Sequence, residues 1–249
     1  MKIAVAGATG TVGRYVVDVA RERGHRLVLL SRRAGHDLTS GDVSAALAGV
    51  DAIVDVLGIQ TLSRRRATRF FEATSDTLHR SGARAGVPHL VALSIVGIDG
   101  VDSSYYGAKL AHERAVETGI LPHTVLRAAQ FHEFARQTVS RGAFGPVVIV
   151  PKARLRPVAA HEVAGELVRL AEGDPVGRAT DLVGPRDEIL WDMVRAVLAQ
   201  DGSRSPARQI ALPGRMGAAM ASGRLRGTDE VRRGVVTFSE WLRSAGVPR

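Results

Sequence analysis

The chain has 249 residues, 45% hydrophobic, 24% charged and 4% aromatic, an ordinary water-compatible balance and enough length for one large α/β domain with a full core. No apolar run approaches the roughly 18 residues of a membrane span, and the lack of cysteine excludes disulfides and thiolate metal sites. The net charge is +9 and almost all of the base is arginine, lysine occurring only at Lys2, Lys109 and Lys152.

Residues 201–249 hold nine arginines against four acidic side chains. No aromatic-interleaved or repeated basic pattern accompanies them, which argues against nucleic acid and for attraction of an anionic cofactor or substrate. The first residues enter a strand without the charged and apolar regions of a secretory signal, so a cytoplasmic protein is expected.

Residues 3–6 (IAVA) read as a short buried strand, followed by Gly7, Gly10 and Gly13. Residues 14–23 suit a helix whose Val16, Val17, Val19 and Ala20 pack back on that strand. A strand that enters a helix through a glycine turn aims backbone N–H groups and the positive helix end at one spot, an anion site suited to a dinucleotide pyrophosphate. Gly7 permits the tight turn, Gly10 the approach of phosphate, and Gly13 the packing of helix on strand. The spacing is GxxGxxG rather than GxGxxG.

Residues 25–31 form a second strand, apolar enough for a sheet covered on both faces. It ends in Ser31, Arg32 and Arg33, where a dinucleotide fold meets the adenosine ribose. A carboxylate there accepts from the 2′-OH, whereas arginine accommodates a 2′-phosphate. Two arginines and a serine therefore favour NADP over NAD. Asp37 is placed to accept from the adenine amino group with Leu38 against the ring, or else to cap a helix over residues 43–47.

Residues 51–57 make the next strand, closed by Gly58. Leu57 and Gly58 end it on the side where ligands of parallel sheets bind. Asp55 lies inside this strand and needs a hydrogen-bond partner. Arg64, Arg65 and Arg66 read as a solvated helix start, and residues 68–85 as a helix ended by Gly86. A strand over 89–95 carries Ser94 near its carboxyl end, placed to donate to a substrate oxygen or to satisfy backbone.

Tyr105 and Lys109 are four apart and share a helix face. An ammonium there stabilises the Tyr105 phenolate, so that the tyrosine can pass its proton to a carbonyl oxygen as hydride arrives. Lys109 is also placed to bond the nicotinamide ribose. Tyr106, three from Lys109, is a rival donor. A lysine kept in an arginine-rich chain hints at chemistry that needs a compact ammonium.

After a strand over 124–127, Phe131 and His132 are placed to wall the nicotinamide or the substrate, with no catalytic role for His132. Beyond residue 143, short apolar pieces (147–150, 155–158) alternate with helices at 161–171 and 190–200, a substrate-capping region without a clear linker. Residues 216–225 read as a lid or as disorder. No spacing of His, Asp and Glu reads as a metal site.

Taken together, GATGTVG at 7–13, GVDAIVDVLG at 49–58, ALSIVGID at 92–99, YYGAKLAHE at 105–113, LRAAQFHEF at 126–134, PVAAHEVA at 157–164 and LVGP at 182–185 make a pattern. The chain resembles the atypical, NmrA-like NAD(P)-binding branch of the short-chain dehydrogenase/reductase superfamily. The resemblance implies a Rossmann-type α/β fold, a doubly wound, mostly parallel sheet in one domain over 1–249, with 143–249 contributing a small substrate-capping region. It also implies cofactor contacts at Gly7, Thr9, Gly10, Thr11, Val12, Gly13, Ser31, Arg32, Asp37 and Leu38, with Lys109 near the ribose. Members of the branch include reductases of quinones, enones or ketones, NADP-binding sensors, and proteins with non-redox chemistry. Ser94 and Tyr105 are spaced as a Ser–Tyr–Lys triad needs, but no asparagine occurs in the chain, so the fourth member of a full tetrad is absent. The expectation is an NADPH-dependent reductase of a small hydrophobic carbonyl or enone, monomeric or homodimeric, with a sensor or a non-redox isomerase, cyclase or dehydratase as alternatives.

Overall fold

A computed structural model describes residues 1–61, 63–102, 104–228 and 230–245. The chain divides into two compact units, one of residues 1–94, 102–127 and 161–180, the other of residues 95–101, 128–160 and 181–249.

The first unit is built on strands β1 (Lys2–Ala6), β2 (Arg26–Leu30), β3 (Ala52–Asp55), β4 (Leu90–Ile95) and β5 (His123–Ala128), in the order β2-β1-β3-β4-β5. Each of β2 and β3 pairs parallel with β1, and β4 pairs parallel with β3. A short strand, Gly177–Arg178, pairs parallel with β5. Helices α1 (Thr11–Glu22), α2 (Arg64–Ala85) and α3 (Ser104–Glu117) make the crossovers, together with the turns between β2 and β3. This is the α/β, doubly wound arrangement the residue pattern calls for. The order reverses between β1 and β3, and there two neighbouring crossovers depart in opposite directions and leave a crevice at the carboxyl ends of the strands.

The central strands form because they bury their apolar side chains, whereas edge strand β2 leaves Arg26 exposed and Leu27, Val28 and Leu29 partly so. Ile3 to Ala6 and Ala52 to Val54 are fully buried, and Leu30, Leu47, Ile53, Leu78, Leu90 and Val125 share one apolar cluster. Each buried Leu or Ile contributes about 1.5–3 kcal/mol relative to exposure. The α2 helix starts at Arg64, earlier than the expected residue 68, because Ser63 caps it by accepting from the Arg66 amide at 3.3 Å. Gly86, with φ +72°, closes it in the left-handed conformation. Gly82 lets α2 approach the Leu121 side chain, since a Cβ there would lie 2.7 Å from Cδ1.

The expected helix over 43–47 does not form. These residues make hydrogen-bonded turns, with the Leu47 amide on the Val43 carbonyl at 3.1 Å. The carboxylate of Asp42 takes the Ser44 amide, the Ser81 hydroxyl and Arg84, which ties the segment to α2.

The second unit carries a three-stranded sheet, Ala207–Ile210 parallel to Val147–Pro151, with Ala143–Phe144 antiparallel on the other side. Leu182–Val183 pairs parallel with Arg232–Arg233, and Arg154–Leu155 pairs antiparallel with Glu188–Ile189. Within the apolar piece over 155–158, Leu155 lies in a strand and Val158 bridges Phe131. Helix Leu190–Gln200 matches its expected bounds. Residues 214–222 are helical and are followed by a 3-10 turn, Arg224–Arg226, with Ala219, Met220 and Leu225 buried. No helix among the described residues is long and apolar enough to cross a membrane.

Candidate active site

The turn after β1 is a cradle with the side chains left out. Gly7 has φ +88°, and a Cβ on it would stand 3.0 Å from the Val56 carbonyl. A Cβ on Gly13 would run into the Gly7 carbonyl oxygen, so only glycine lets α1 start this close to the strand. The Gly10 amide donates to the Gly7 carbonyl at 2.9 Å and closes the loop. Gly10 is also the N-cap of α1, so no side chain caps the helix, and its first turn carries no acidic residue. The open first-turn amides of Thr11, Val12 and Gly13 and the positive helix end suit an anion, and a dinucleotide diphosphate fits.

Beyond β2, the Ser31 hydroxyl accepts from the Ala34 amide at 3.3 Å and caps a 3-10 turn, Arg32–Ala34. Thr9, Ser31, Arg32 and Arg33 line a cleft of about 300 Å³. Neither arginine has an ion-pair partner among the described residues. Asp37 turns back on its own segment, accepting from the Thr39 amide at 2.9 Å, the Thr39 hydroxyl at 2.6 Å and the Ser40 hydroxyl at 3.1 Å. Those bonds, with Arg32 nearby, hold its carboxyl below the usual range. Leu38 is buried in the cluster with Leu30 and Leu47.

At the ends of β3 and β4 the expected catalytic residues fall into two settings. Tyr105 is half-buried against Phe71, ring centroids 6.0 Å apart, and its hydroxyl lies 3.7 Å from where a Cβ on Gly58 would be. Tyr106, the next residue, is buried, and burial pushes its phenol well above the ordinary value. Ser94 is 3% exposed, and its hydroxyl has no hydrogen-bond partner among the described residues.

Lys109 is buried as well. Its ammonium donates to the Leu93 carbonyl at 2.7 Å, lies 2.7 Å from His112 Nδ1, and sits 4.7 Å over the Phe71 ring. Burial pulls its pKa down to about 8, against the opposing pull of Asp55 and Glu113. Asp55 has found its partners in the His112 ring, 3.0 Å away, and the Leu57 amide at 2.9 Å. Burial alone would raise the Asp55 carboxyl; the His112 and Leu57 contacts and the Lys109 charge outweigh it and hold it low.

The second unit holds Phe131 and His132. Phe131 is half-buried and bridges Val158. His132 Nε2 lies 2.9 Å from the Val236 carbonyl, and the ring packs on Phe238 and Trp241, which makes it a fastener for the carboxyl-terminal helix Phe238–Ala245. This unit also has a cavity of about 520 Å³ whose wall includes Gly97, Asp99, Asp181, Arg224 and Thr228. Among the described residues no group of three or more His, Cys, Asp or Glu is placed to hold a metal ion.

Residues 3–94 match the model of the NAD dependent epimerase/dehydratase family, which spans the glycine turn, the crevice and Ser94. A short-chain dehydrogenase/reductase superfamily protein from Agrobacterium tumefaciens, solved with bound NAD, superposes with a TM-score of 0.68 at 17% identity, covering 99% of this chain and 96% of that one. The chain shares the fold of that protein. The NADPH-dependent quinone oxidoreductase QOR2 of Escherichia coli, solved with NADPH, shares this fold at a TM-score of 0.69 and 16% identity, covering 98% of this chain and 99% of that one. Among curated proteins, the Epimerase family protein SDR39U1 of Bos taurus is 29% identical over 124 residues, 45% of this chain and 40% of that protein. The aligned region thus spans well under half of that relative.

Within this fold, the first unit holds the glycine turn, the Ser31–Arg33 cleft, Gly58, Ser94, Tyr105 and Lys109. It does not single out Phe131, which belongs to the second unit. Residue reading assigned no role to His112 and none to the buried pair of Glu113 and Arg127. Two signals pointed toward His112: it stands three residues after Lys109, and Asp55 required a partner inside an apolar strand.

Proposed function

We propose that the protein is an NADPH-dependent oxidoreductase that reduces a small hydrophobic carbonyl or enone. The observation that carries this reading is the Tyr105 hydroxyl over Gly58, one helical turn before a buried ammonium. Arg32 and Arg33, without an ion-pair partner among the described residues and beside Thr9 and Ser31, suit the extra phosphate that distinguishes NADP from NAD. The amides of Thr11, Val12 and Gly13 would hold the diphosphate, and Leu57 and Gly58 the middle of the dinucleotide.

When bound, the nicotinamide supplies a hydride. Tyr105 gives its proton to the substrate oxygen, and the Lys109 charge stabilises the phenolate left behind. The unpartnered Ser94 hydroxyl donates a hydrogen bond to the same oxygen. Tyr106 is the weaker donor, because its burial disfavours the phenolate that proton transfer would create.

The test is NADPH consumption against a panel of quinones, enones and aldehydes. Tyr105→Phe lowers turnover by about 10²–10⁴-fold, the usual worth of a general acid, while NADPH still binds. Undiminished turnover in that variant removes Tyr105 from the mechanism. The family match over residues 3–94 favours a second reading, an epimerase or dehydratase that uses the same site without net loss of NADPH. Product formed at constant NADPH distinguishes it.

A further inference from the structure

A chain of four hydrogen bonds runs through the buried interior of the first unit. The Leu57 amide donates to Asp55 Oδ1 at 2.9 Å, Asp55 Oδ2 lies 3.0 Å from His112 Nε2, His112 Nδ1 lies 2.7 Å from Lys109 Nζ, and Nζ donates to the Leu93 carbonyl at 2.7 Å. Its direction is fixed by the donors. An ammonium can only donate, so Nδ1 accepts and the proton on the ring is on Nε2, facing the carboxylate. The imidazole is thereby a neutral coupler between one anion and one cation.

The packing holds this geometry. The His112 ring stacks on Phe71, centroids 4.8 Å apart at 24°, and the Lys109 ammonium lies over the same ring. Asp55, His112 and Lys109 are all at most 4% exposed, so water does not screen them. An unpaired buried ammonium would shed its proton.

We propose that Asp55 and His112 are positioning residues for Lys109: the carboxylate supplies the charge that keeps the ammonium protonated, and the imidazole aims it while carrying that influence across. This rests on the oxidoreductase reading only for its consequence, that a protonated Lys109 supports Tyr105.

The charged and titratable groups around Lys109 are few. On α3 they are Tyr105, Tyr106, His112 and Glu113; on α2, His79; on β3, Asp55; on β5, Arg127. Glu113 is neutralised by Arg127 through a two-pronged contact of 2.7 and 2.6 Å. Burial keeps His79 and His112 uncharged, both pKa values being lowered by desolvation first. Asp55 is therefore the larger of the two charges that hold Lys109 up, and Glu113, shared with Arg127, the smaller.

Lysine occurs at three positions in this chain, so the chain labelled with 15N at lysine Nζ shows few enough signals to follow each through a pH titration. The signal lost in Lys109→Arg identifies residue 109. Its midpoint is expected near 8 in the unaltered protein. Asp55→Asn lowers that midpoint by about one to two units. His112→Gln, whose amide can accept from the ammonium and donate to Asp55, stays within about half a unit, whereas His112→Leu falls as Asp55→Asn does. An unmoved midpoint in Asp55→Asn overturns the proposal.

Should Asp55→Asn fail to fold, the unaltered protein still decides: 15N shifts of His112 must show a neutral ring protonated at Nε2 between pH 6 and 8, roughly the range in which histidine ordinarily titrates. An imidazolium or an Nδ1–H ring overturns the proposal. Failure of the oxidoreductase reading shows elsewhere, as undiminished turnover in Tyr105→Phe, while the lysine midpoint is read without any substrate.

Discussion

Arg127 and Glu113 form a buried fork: Nε and Nη2 of the guanidinium donate to the two carboxylate oxygens at 2.7 and 2.6 Å, with both side chains at most 7% exposed. The pair fastens α3 to β5, and α3 is the helix that carries Tyr105 and Lys109.

Removing one arm of this fork leaves a charge in the interior without its counter-ion. Arg127→Met is therefore expected to destabilise the protein by about 3–5 kcal/mol. Urea denaturation of the two proteins measures it; a midpoint that does not move means the fork adds nothing to stability.

Gly13 packs α1 against the turn after β1 with no room for a side chain. Gly13→Ala forces the helix start away from the Gly7 carbonyl and spoils the amide cradle. In the unaltered protein, NADPH at about a hundred times its dissociation constant should add about 2.7 kcal/mol of stability. In Gly13→Ala that stabilisation is expected to vanish in thermal melts with and without nucleotide. Equal stabilisation of both proteins places the nucleotide elsewhere.

Arg32 and Arg33 separate the two cofactors. Replacing both with alanine removes charge-assisted bonds worth about 1.5–3 kcal/mol each, so NADPH affinity should fall at least roughly a hundredfold while NADH affinity holds. Calorimetry with the two nucleotides reads the ratio. Parallel losses for both would mean the arginines attract anions in general and do not recognise the 2′-phosphate.

Much of the fold was legible in the residues because short-range rules govern it. Continuous apolar runs marked the central strands, and glycines with positive φ at 7 and 86 marked the turn and the helix end. Where those rules met competition they failed. Residues 43–47 have a helical pattern, but they close only a single such turn, the Leu47 amide on the Val43 carbonyl, and the segment stays a set of turns.

Sequence by itself determined the glycine cradle, the basic end of β2 and the one-turn spacing of Tyr105 and Lys109, since each is a local property of a few neighbouring residues. Only the tertiary structure decided what Lys109 touches, that Tyr106 is sealed in the core, and that Asp55 on β3 meets His112 on α3. Those residues stand 57 positions apart, and a contact at that separation is set by how a helix lies on a sheet, which the periodicity of neither segment encodes.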